Sequence, residues 1–360
     1  MKQSNVLNIL LKEKLALINN GAKKVGSEKM RQLENKLFGK NILITGGLGM
    51  LGSTVAHQLL RHNAKITIVD SCMKPYGANR FNLDKIIEYI DLNITDIRDK
   101  ESMEYHIKNK DIIFNFAAQI SHNDSINNPL LDADINYIGH LNILENIRRF
   151  NPKVRILFSG SRLQFGRSEK IPVGESHPLR PKTPYAFNKT VAENMYRYYY
   201  EIHGIPCVIF RIANPYGIRC QMKHAKYSIV NYFIRQAIED KHLTIYGDGK
   251  QLRDYIYVDD LARAFILAAI SDETNGQTFN VGSGVGTSFK RMVETVVEVI
   301  GNGKIEHIPW PEDYTNVETG DYVTDITKIS KMLHWQPQVS LREGVEMTWQ
   351  YYKKYRNHYF

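Results

Sequence analysis

Residues 41–52 read NILITGGLGMLG, in which an apolar, strand-like run leads directly into a turn that contains four glycines. Residues Thr54 to Arg61 then carry a helical pattern, so the segment predicts a strand, a glycine turn and a helix. Glycines permit a tight turn and let a diphosphate approach the backbone closely, and the following helix presents free N–H groups and its positive dipole end. The stretch therefore predicts a binding site for a dinucleotide.

A second strand-like run, Lys65 to Val69, ends on Asp70, an acid that lies 24 residues after Gly46. At this position a carboxylate can accept hydrogen bonds from a ribose diol, and it would repel a 2′-phosphate. The sequence therefore favours NAD as the cofactor over its phosphorylated form.

Apolar runs continue to alternate with helical patterns on both sides of this unit. The strand-like runs are Asn41 to Thr45, Lys65 to Val69, Asp111 to Asn115, Val154 to Phe158 and Pro206 to Ile212. Such alternation implies parallel strands joined by right-handed crossovers, with ligands bound at the carboxyl ends of the strands. We therefore expect an α/β fold with a doubly wound parallel sheet, the Rossmann arrangement.

The chain divides into three parts. Residues 1–39 predict an N-terminal helical extension with two amphipathic helices, and residues 40–212 predict the NAD-binding domain. After residue 213 strand-like and helical patterns alternate less regularly. Residues 213–360 predict a smaller substrate-binding domain that is partly interleaved with the first. Its expected elements are helices at 225–240, 259–271 and 343–355 and strands at 243–246 and 254–258.

Composition excludes several classes of protein. The 360 residues are 43% hydrophobic and 24% charged, which is typical of a globular protein and not of a disordered or fibrous one. The net charge of +9 is concentrated in residues 1 to 40, which hold nine Lys or Arg against three acids, so the remainder has no basic stripe for nucleic acid. We expect no nucleic-acid partner, no integral membrane segment and a cytoplasmic location. Three widely spaced cysteines fit no zinc cluster, so no metal is expected.

A candidate catalytic set lies in the middle of the chain. Tyr185 and Lys189 are four residues apart in a segment that begins Thr183-Pro184, a good helix start, so they share one helical face. An adjacent ammonium and a positively charged nicotinamide both favour the phenolate, which is a usable general base. Ser161 follows a strand and could bond the same substrate oxygen.

From about Asn41 to Trp349 the chain resembles the extended short-chain dehydrogenase/reductase family, in its branch of nucleotide-sugar epimerases and dehydratases. The motifs that carry the resemblance are Thr45 to Gly52, Asp70, Asp96-Ile97, Asn115 to Ala118, Asn136, Ser159 to Ser161 with Phe165-Gly166, Tyr185 with Lys189, Arg211 to Gly217, Gly247 to Asp254 and Tyr257 to Asp260.

The resemblance implies a set of site residues. The implied NAD-binding residues are Gly46, Gly49, Met50, Leu51, Gly52, Asp70, Asp96, Ile97, Ala117, Ala118, Asn136, Tyr185 and Lys189. Of these, Asp96 and Ile97 would flank the adenine, and Asn136 would support the catalytic lysine. The implied substrate-binding residues are His122, Arg162, Asn214, Lys226 and Arg253.

Several of these residues have alternative interpretations. Asp96 could end a strand, Asn136 could cap a helix turn, and Arg253 could pair with a neighbouring carboxylate. His122 could contact the sugar, assist a proton transfer, or be a hydrogen-bonded structural histidine.

Enzymes of this branch commonly dimerise through the helix that carries the catalytic tyrosine. The resemblance therefore implies a homodimer, with Tyr196 and Tyr198 to Tyr200 packed at its interface.

The residues after Ser161 bear on the reaction. All members of the branch first oxidise the sugar to a keto sugar, and dehydratases then need a further acid and base. The dehydratase pattern at this position resembles Thr-Asp-Glu or Ser/Thr-x-Glu. Here the chain reads Ser161-Arg162-Leu163, in which leucine relays no proton and arginine stays charged. This disfavours dehydration and decarboxylation.

The sequence thus favours an isomerase, an NAD-dependent nucleotide-sugar 4-epimerase that returns the hydride to the other face of the keto sugar. Two alternatives stay open: a nucleotide-sugar oxidoreductase or dehydratase that releases a keto sugar, and a non-catalytic NAD-binding scaffold. Arg162 departs from the small residues usual in simple epimerases, and it is a candidate to face a carboxylate or an unusual sugar.

Overall fold

The computed structural model describes residues 35–224, 226–311 and 318–360, and its centre is a seven-stranded parallel sheet. The strands are β1 (Asn41–Thr45), β2 (Lys65–Asp70), β3 (Ile90–Ile94), β4 (Ile112–Asn115), β5 (Arg155–Ser161), β6 (Cys207–Ile212), β7 (Asn214–Tyr216), β8 (His242–Tyr246), β9 (Leu252–Arg253), β10 (Tyr255–Tyr257), β11 (Thr278–Val281), β12 (Thr287–Ser288) and β13 (Lys304–Ile308). The order in the large sheet is β11-β6-β5-β4-β1-β2-β3, and the remaining strands form three two-stranded sheets.

Helices connect and cover these strands. They are α1 (Met50–Leu60), α2 (Lys100–Ile107), α3 (His122–Asn127), α4 (Pro129–Ala133), α5 (Gly139–Phe150), α6 (Pro184–His203), α7 (Ile229–Ile238), α8 (Val258–Ala269), α9 (Phe289–Ile300), α10 (Thr327–Leu333) and α11 (Leu341–Tyr355). A π-helical segment, Asp134–Ile138, joins α4 to α5, and a 3₁₀ turn, Arg162–Phe165, follows β5.

Strand β1 lies at the point of the sheet where the strand order reverses, with β2 and β3 on one side and β4, β5 and β6 on the other. It pairs with β2 on one side, with Thr45 opposite Val69, and with β4 on the other, with Thr45 opposite Asn115. In a doubly wound sheet this switch point opens a crevice at the carboxyl ends of the strands. The predicted α/β fold with a doubly wound parallel sheet is confirmed.

The first helix begins earlier than the sequence pattern suggested. We predicted a helix from Thr54 to Arg61, whereas α1 starts at Met50, directly after Gly49, whose backbone is extended. Glycines at 49 and 52 interrupt the apolar periodicity there, so the pattern does not show where the helix begins. As a result, the N-terminus of the helix lies at the end of the glycine turn.

Parts of the chain after residue 213 return to the large sheet. Strand β11 pairs with β6 along four residues, and α8 packs against α1. Trp335 is fully buried in the core on that face of the sheet and donates its indole N–H to the Asp260 carbonyl at 3.1 Å. The domain boundary at 212/213 stays a prediction, because the two parts share one core here.

A second, smaller core lies beside the large sheet. It is formed by α7, α9 and α11 together with the strand pairs β7/β10 and β8/β13. Fully buried tyrosines, among them Tyr216 and Tyr352, fill this core. The strand β5 and the loop that carries β9 thereby face each other across the crevice.

The predicted N-terminal helical extension lies outside the described residues except at its end. Residues 35–37 are helical, and Leu37 is fully buried against the sheet core. Among the described helices, none is both long enough and apolar enough to cross a lipid bilayer.

A buried ion pair fixes α6 on the sheet. The Glu193 carboxylate on α6 accepts from the Arg211 guanidinium on β6 at 2.6 and 3.0 Å, and both side chains are almost completely buried. The Gln164 amide of the 3₁₀ turn donates to the same carboxylate at 2.7 Å. Removal of one partner leaves the other charge buried and unpaired, so a single substitution in such a pair strongly destabilises the folded protein.

We therefore expect Glu193→Ala to lower the free energy of unfolding by roughly 3–5 kcal/mol, because it leaves Arg211 buried without a counter-ion. Urea denaturation of the variant and of the wild type measures this loss. Glu298→Ala, which removes a surface carboxylate paired with Arg291 and Arg342, is the control and should change the midpoint little. Equal midpoint shifts in the two variants would contradict the structural role of Glu193.

Candidate active site

A crevice of about 870 Å³ runs from the carboxyl ends of β1 and β2 to the smaller core. The catalytic, cofactor-binding and substrate-binding residues that we predicted line its wall, with one exception, Asn136. One continuous cavity therefore brings the glycine turn, the tyrosine–lysine pair and the substrate-binding residues together.

The glycine turn fits a diphosphate. Gly46 has a φ of +64°, and a Cβ built there would lie 2.8 Å from the Ala117 nitrogen, so a side chain would collide with the neighbouring strand end. No side chain caps the N-terminus of α1 at Gly49, which leaves the first N–H groups of the helix available to an anion. The residues present thus match what a dinucleotide requires.

Two acids lie in the crevice wall, one at the end of β2 and one shortly after β3. The Asp70 carboxylate accepts from the Leu48 N–H at 3.0 Å and from the Cys72 N–H at 2.9 Å, and burial raises its pKa. These bonds fix the orientation of the carboxylate, and its contact with a ribose stays a prediction. Asp96 is held by Arg98 at 2.8 and 3.0 Å, and Arg98 also reaches Asp134 at 2.6 Å. The predicted role of Asp96 and Ile97 beside an adenine stays a prediction.

The structure brings Ser161, Tyr185 and Lys189 together at the centre of the crevice. Tyr185 lies in the first turn of α6, where Thr183 caps the helix and Pro184 occupies its first position. The Ser161 hydroxyl hydrogen-bonds the phenol of Tyr185, and the Lys189 ammonium donates to the Ser159 carbonyl at 3.0 Å. We placed Ser161 after the strand, but it is the last residue of β5, because the extended backbone continues past Phe158.

Burial dominates the electrostatics of this set. It raises the pKa of Tyr185 to about 12, against the hydrogen bond from Ser161, and it lowers the pKa of Lys189 to about 7, against the charge of Asp132. The protein alone therefore favours a neutral phenol, and it leaves Lys189 only partly protonated at neutral pH. A phenolate in this position requires additional positive charge beside the ring.

Asn136 lies behind the crevice wall and not in it. Its amide donates to the Gln119 carbonyl at 2.8 Å and to the Asp132 carboxylate at 3.0 Å. We predicted Asn136 as a cofactor-binding residue that supports Lys189; in the structure it holds Asp132, and the predicted role stays a prediction. Asp132 also accepts from Asn188 at 2.7 Å, and its charge raises the pKa of Lys189. Sequence reasoning missed Asp132, because nothing in its spacing sets it apart.

Charged side chains crowd the other end of the crevice. Arg162 donates through Nε to Asn214 at 2.9 Å and through Nη1 to Thr319 at 3.1 Å. Arg253 forms an ion pair with Glu318, which matches the alternative that we left open for this arginine. Sequence reasoning missed Glu318, which lies 65 residues from Arg253 in the chain.

Two further predicted substrate-binding residues border this end. Lys226 pairs with Asp124 at 2.6 Å and lines the crevice wall. Burial, together with the nearby charge of Arg162, lowers the pKa of His122, so its imidazole is neutral at neutral pH. A neutral imidazole can accept or donate a hydrogen bond in the wall of the crevice.

Aromatic residues line the crevice where it meets the smaller core. This group was missed from the sequence and comprises Tyr232, Phe233, Tyr246, Phe289 and Trp310. The rings of Tyr246 and Trp310 are 5.6 Å apart between centroids. Flat apolar surfaces of this kind are suited to a planar ring such as a nucleobase.

Two of the tyrosines expected at an interface lie inside the subunit. The Tyr196 phenol accepts from the Asn115 amide at 2.7 Å and is fully buried, and Tyr199 bonds to Glu145. The predicted interface role of Tyr196 and Tyr199 is therefore wrong, because both face the core beneath α6. Tyr198 and Tyr200 are exposed.

Comparisons with known proteins match enzymes that act on nucleotide sugars. The family model described as GDP-mannose 4,6 dehydratase matches residues 43–348. A putative UDP-glucose 4-epimerase of Methanocaldococcus jannaschii is 31% identical over 306 residues, 85% of this chain and 96% of the relative. A UDP-N-acetyl-alpha-D-glucosaminuronate decarboxylase of Bacillus cytotoxicus is 29% identical over 327 residues, 88% of this chain and 99% of that protein.

A solved structure resembles the fold closely. The crystal structure of Thermus thermophilus UDP-glucose 4-epimerase in complex with NAD has a TM-score of 0.78 and 27% identity, and the match covers 87% of this chain and 99% of the other.

The buried lysine should cost the protein stability. We expect Lys189→Met to raise Tm by several degrees near neutral pH, because it removes a buried cation without removing volume. The unfolded chain keeps this lysine protonated up to about pH 10.5, whereas the folded protein releases the proton near pH 7. The wild type therefore gains stability as the pH rises between these values, and the advantage of the variant should shrink by about pH 9.5.

Thermal melting of both proteins at two pH values and one NAD concentration tests this expectation. Lys189→Arg keeps the charge and should show no such advantage. A gap between Lys189→Met and the wild type that stays constant with pH would contradict the lowered pKa of Lys189.

Proposed function

The chain belongs to the nucleotide-sugar epimerase and dehydratase branch of the extended short-chain dehydrogenase/reductase family, and we propose that it is an NAD-dependent nucleotide-sugar 4-epimerase. The observation that carries the proposal is the wall of the crevice directly after Ser161. Arg162 and Leu163 line it there, and neither can supply the second acid and base that dehydration requires.

The remaining acids of the crevice support this proposal. Among the described residues, the carboxylates in its wall are Asp70, Asp96 and Glu318. The first two lie at the dinucleotide end, and Glu318 is engaged by Arg253. Tyr185 is therefore the group best placed to take a proton from a sugar hydroxyl.

In the proposed reaction, Tyr185 removes the proton of the C4 hydroxyl while Ser161 hydrogen-bonds the same oxygen. Bound NAD supplies the hydride acceptor and a positive charge that favours the phenolate. The ammonium of Lys189, when protonated, also favours the phenolate. The crevice then has to let the keto sugar turn, so that C4 would receive the hydride back on its opposite face while Tyr185 returns the proton to the C4 oxygen.

A second candidate activity is a net oxidoreductase or dehydratase that releases a keto sugar. The relatives include a decarboxylase of an acidic nucleotide sugar as well as epimerases, so the family alone does not decide the product. The neutral imidazole of His122 and the carboxylate of Glu318 both lie at the end of the crevice that carries Arg162 and Arg253, which we call the sugar end. They are the groups that such a reaction could use.

We also propose that the protein is a homodimer. An exposed apolar stripe runs along one face of α6 and comprises Phe187, Val191, Tyr198 and Ile202, which are spaced by four, seven and four residues. Leu130 and Ile138, next to α6 in the fold, are exposed as well. A contiguous apolar helix face of this length is typical of an interface, and a second copy of α6 is complementary to it.

We expect Tyr185→Phe to lower kcat by roughly 10²–10⁴-fold, because the general base is lost, while NAD still binds. The measurement is the conversion of nucleotide sugars to their C4 epimers, resolved by chromatography, with NAD binding measured by calorimetry. Tyr200→Phe, on the same helix but away from the crevice, is the control. Steady accumulation of NADH during turnover would refute the epimerase and support the oxidoreductase.

A charge within the apolar stripe should separate the subunits. We expect Ile202→Glu to convert a dimer to a monomer at micromolar concentration, because a carboxylate would be buried unpaired at the interface. Light scattering after size-exclusion chromatography measures the mass. Met347→Glu, on the exposed surface of α11, is the control and should leave the mass unchanged. A wild-type mass of one chain would contradict the homodimer.

A further inference from the structure

A small cavity of about 60 Å³ opens from the sugar end of the crevice. Its wall includes Arg162, Arg253, Lys182, His122, Glu318 and Thr319, and four of these also line the crevice. A water molecule needs about 10–15 Å³ of such space, so the cavity can hold a few waters or one carboxylate group. Its lining is cationic and polar, which suits an anion.

The charges in this wall do not balance. Glu318 pairs with Arg253, and its carboxylate also accepts from the Gly320 N–H at 2.9 Å. Arg162 is only 9% exposed, and both of its hydrogen-bond partners, Asn214 and Thr319, are neutral. In the part of the chain that the structure describes, no carboxylate lies within ion-pair distance of Arg162. Buried charges are normally paired, and the described residues supply no counter-ion for this guanidinium.

The position of Arg162 identifies where that counter-ion belongs. Arg162 directly follows Ser161, whose hydroxyl bonds to Tyr185 and so marks the reacting carbon. Two hydrogen bonds fix the guanidinium plane, and its third nitrogen, Nη2, has no hydrogen-bond partner among the described residues. A guanidinium that is already oriented can bind a carboxylate with little loss of freedom.

We propose that this cavity is a subsite for a carboxylate on the sugar ring, held by Arg162, and that the substrates are nucleotide-linked acidic sugars. The inference rests on the proposed function, because it names the substrate class of the same site. Arg253 serves the diphosphate in this arrangement, and Arg162 serves the sugar.

The subsite has a chemical consequence for a hexuronate. Oxidation at C4 places a ketone beside the carbon that carries the carboxylate, and such a keto acid can lose CO₂. The electrons of the C5–C6 bond then move into an enolate, which takes a proton at C5. An ion pair with Arg162 stabilises the carboxylate charge that this step removes, so the arginine opposes the loss of CO₂ and favours epimerisation.

The test compares two ligands that differ only in the carboxylate. The nucleoside diphosphate that binds the NAD-loaded protein most tightly is selected from UDP, dTDP, CDP and GDP. Its glucose and glucuronate esters are then compared by calorimetry and by kcat/KM. We expect the wild type to prefer the glucuronate by roughly 10- to 100-fold, the range of a charge-assisted hydrogen bond.

Two substitutions locate the preference. Arg162→Gln should remove most of it and leave the affinity for the nucleoside diphosphate alone unchanged, whereas Arg162→Lys should restore part of it. Arg253→Gln is the matched variant and should weaken the diphosphate and both sugars alike. Thermal melting with NAD verifies that each variant is folded, and the wild-type comparison decides the question without any variant.

Equal affinity of the wild type for both esters would overturn the subsite. An Arg162→Gln variant that loses affinity for the nucleoside diphosphate itself would overturn it too, because Arg162 would then be a diphosphate ligand. A preference for the glucuronate with release of CO₂ and a pentose product would support the subsite and refute the 4-epimerase. Failure of every nucleoside diphosphate to bind would refute both.

Discussion

The site depends on a phenol and an ammonium that the fold buries together. Burial moves Tyr185 and Lys189 towards their neutral forms, and this opposes the ionised base that proton removal requires. The surrounding structure works against that tendency through the hydroxyl of Ser161 and the charge of Asp132. The strong hold of α6 on the sheet, through Glu193 and Arg211, keeps the two groups in register with the end of β5. The protein alone thus favours the neutral phenol, and a cationic ring bound beside it would favour the phenolate.

The dinucleotide end of this site follows directly from the sequence. The glycine turn, Asp70 and the tyrosine–lysine spacing are local patterns, because each depends on residues within one strand–turn–helix unit or one helical turn. The doubly wound sheet was predictable for the same reason, because five of its strands show their own apolar runs. Strands β3 and β11, at its two edges, were not predicted. The start of α1 was misplaced because glycines at 49 and 52 carry no hydrophobic signal.

The sugar end could not be predicted in the same way. Glu318 pairs with Arg253 across 65 residues of sequence. Asp132, which Asn136 and Asn188 hold, acts on Lys189 through its charge, so only the folded chain reveals these interactions. The aromatic residues at the smaller core come from four separate segments of the chain and have no common motif. Tyr196 looked like an interface residue, yet its phenol completes a buried network with Asn115 and His140. Long-range polar contacts of this kind leave no motif in the sequence, whereas the patterns at the dinucleotide end are local.

The sharing of one sheet by both halves of the chain also bears on biosynthesis. Strand β11 covers the edge of β6, but 65 residues separate the end of β6 from the start of β11. While the ribosome makes that interval, the nascent sheet ends in an open row of backbone donors and acceptors. The protein therefore passes through a stage in which strand-to-strand aggregation is possible. Strand β11, which completes this side of the sheet, is made only after β7, α7, β8 and β10 of the smaller core and before its helices α9 and α11.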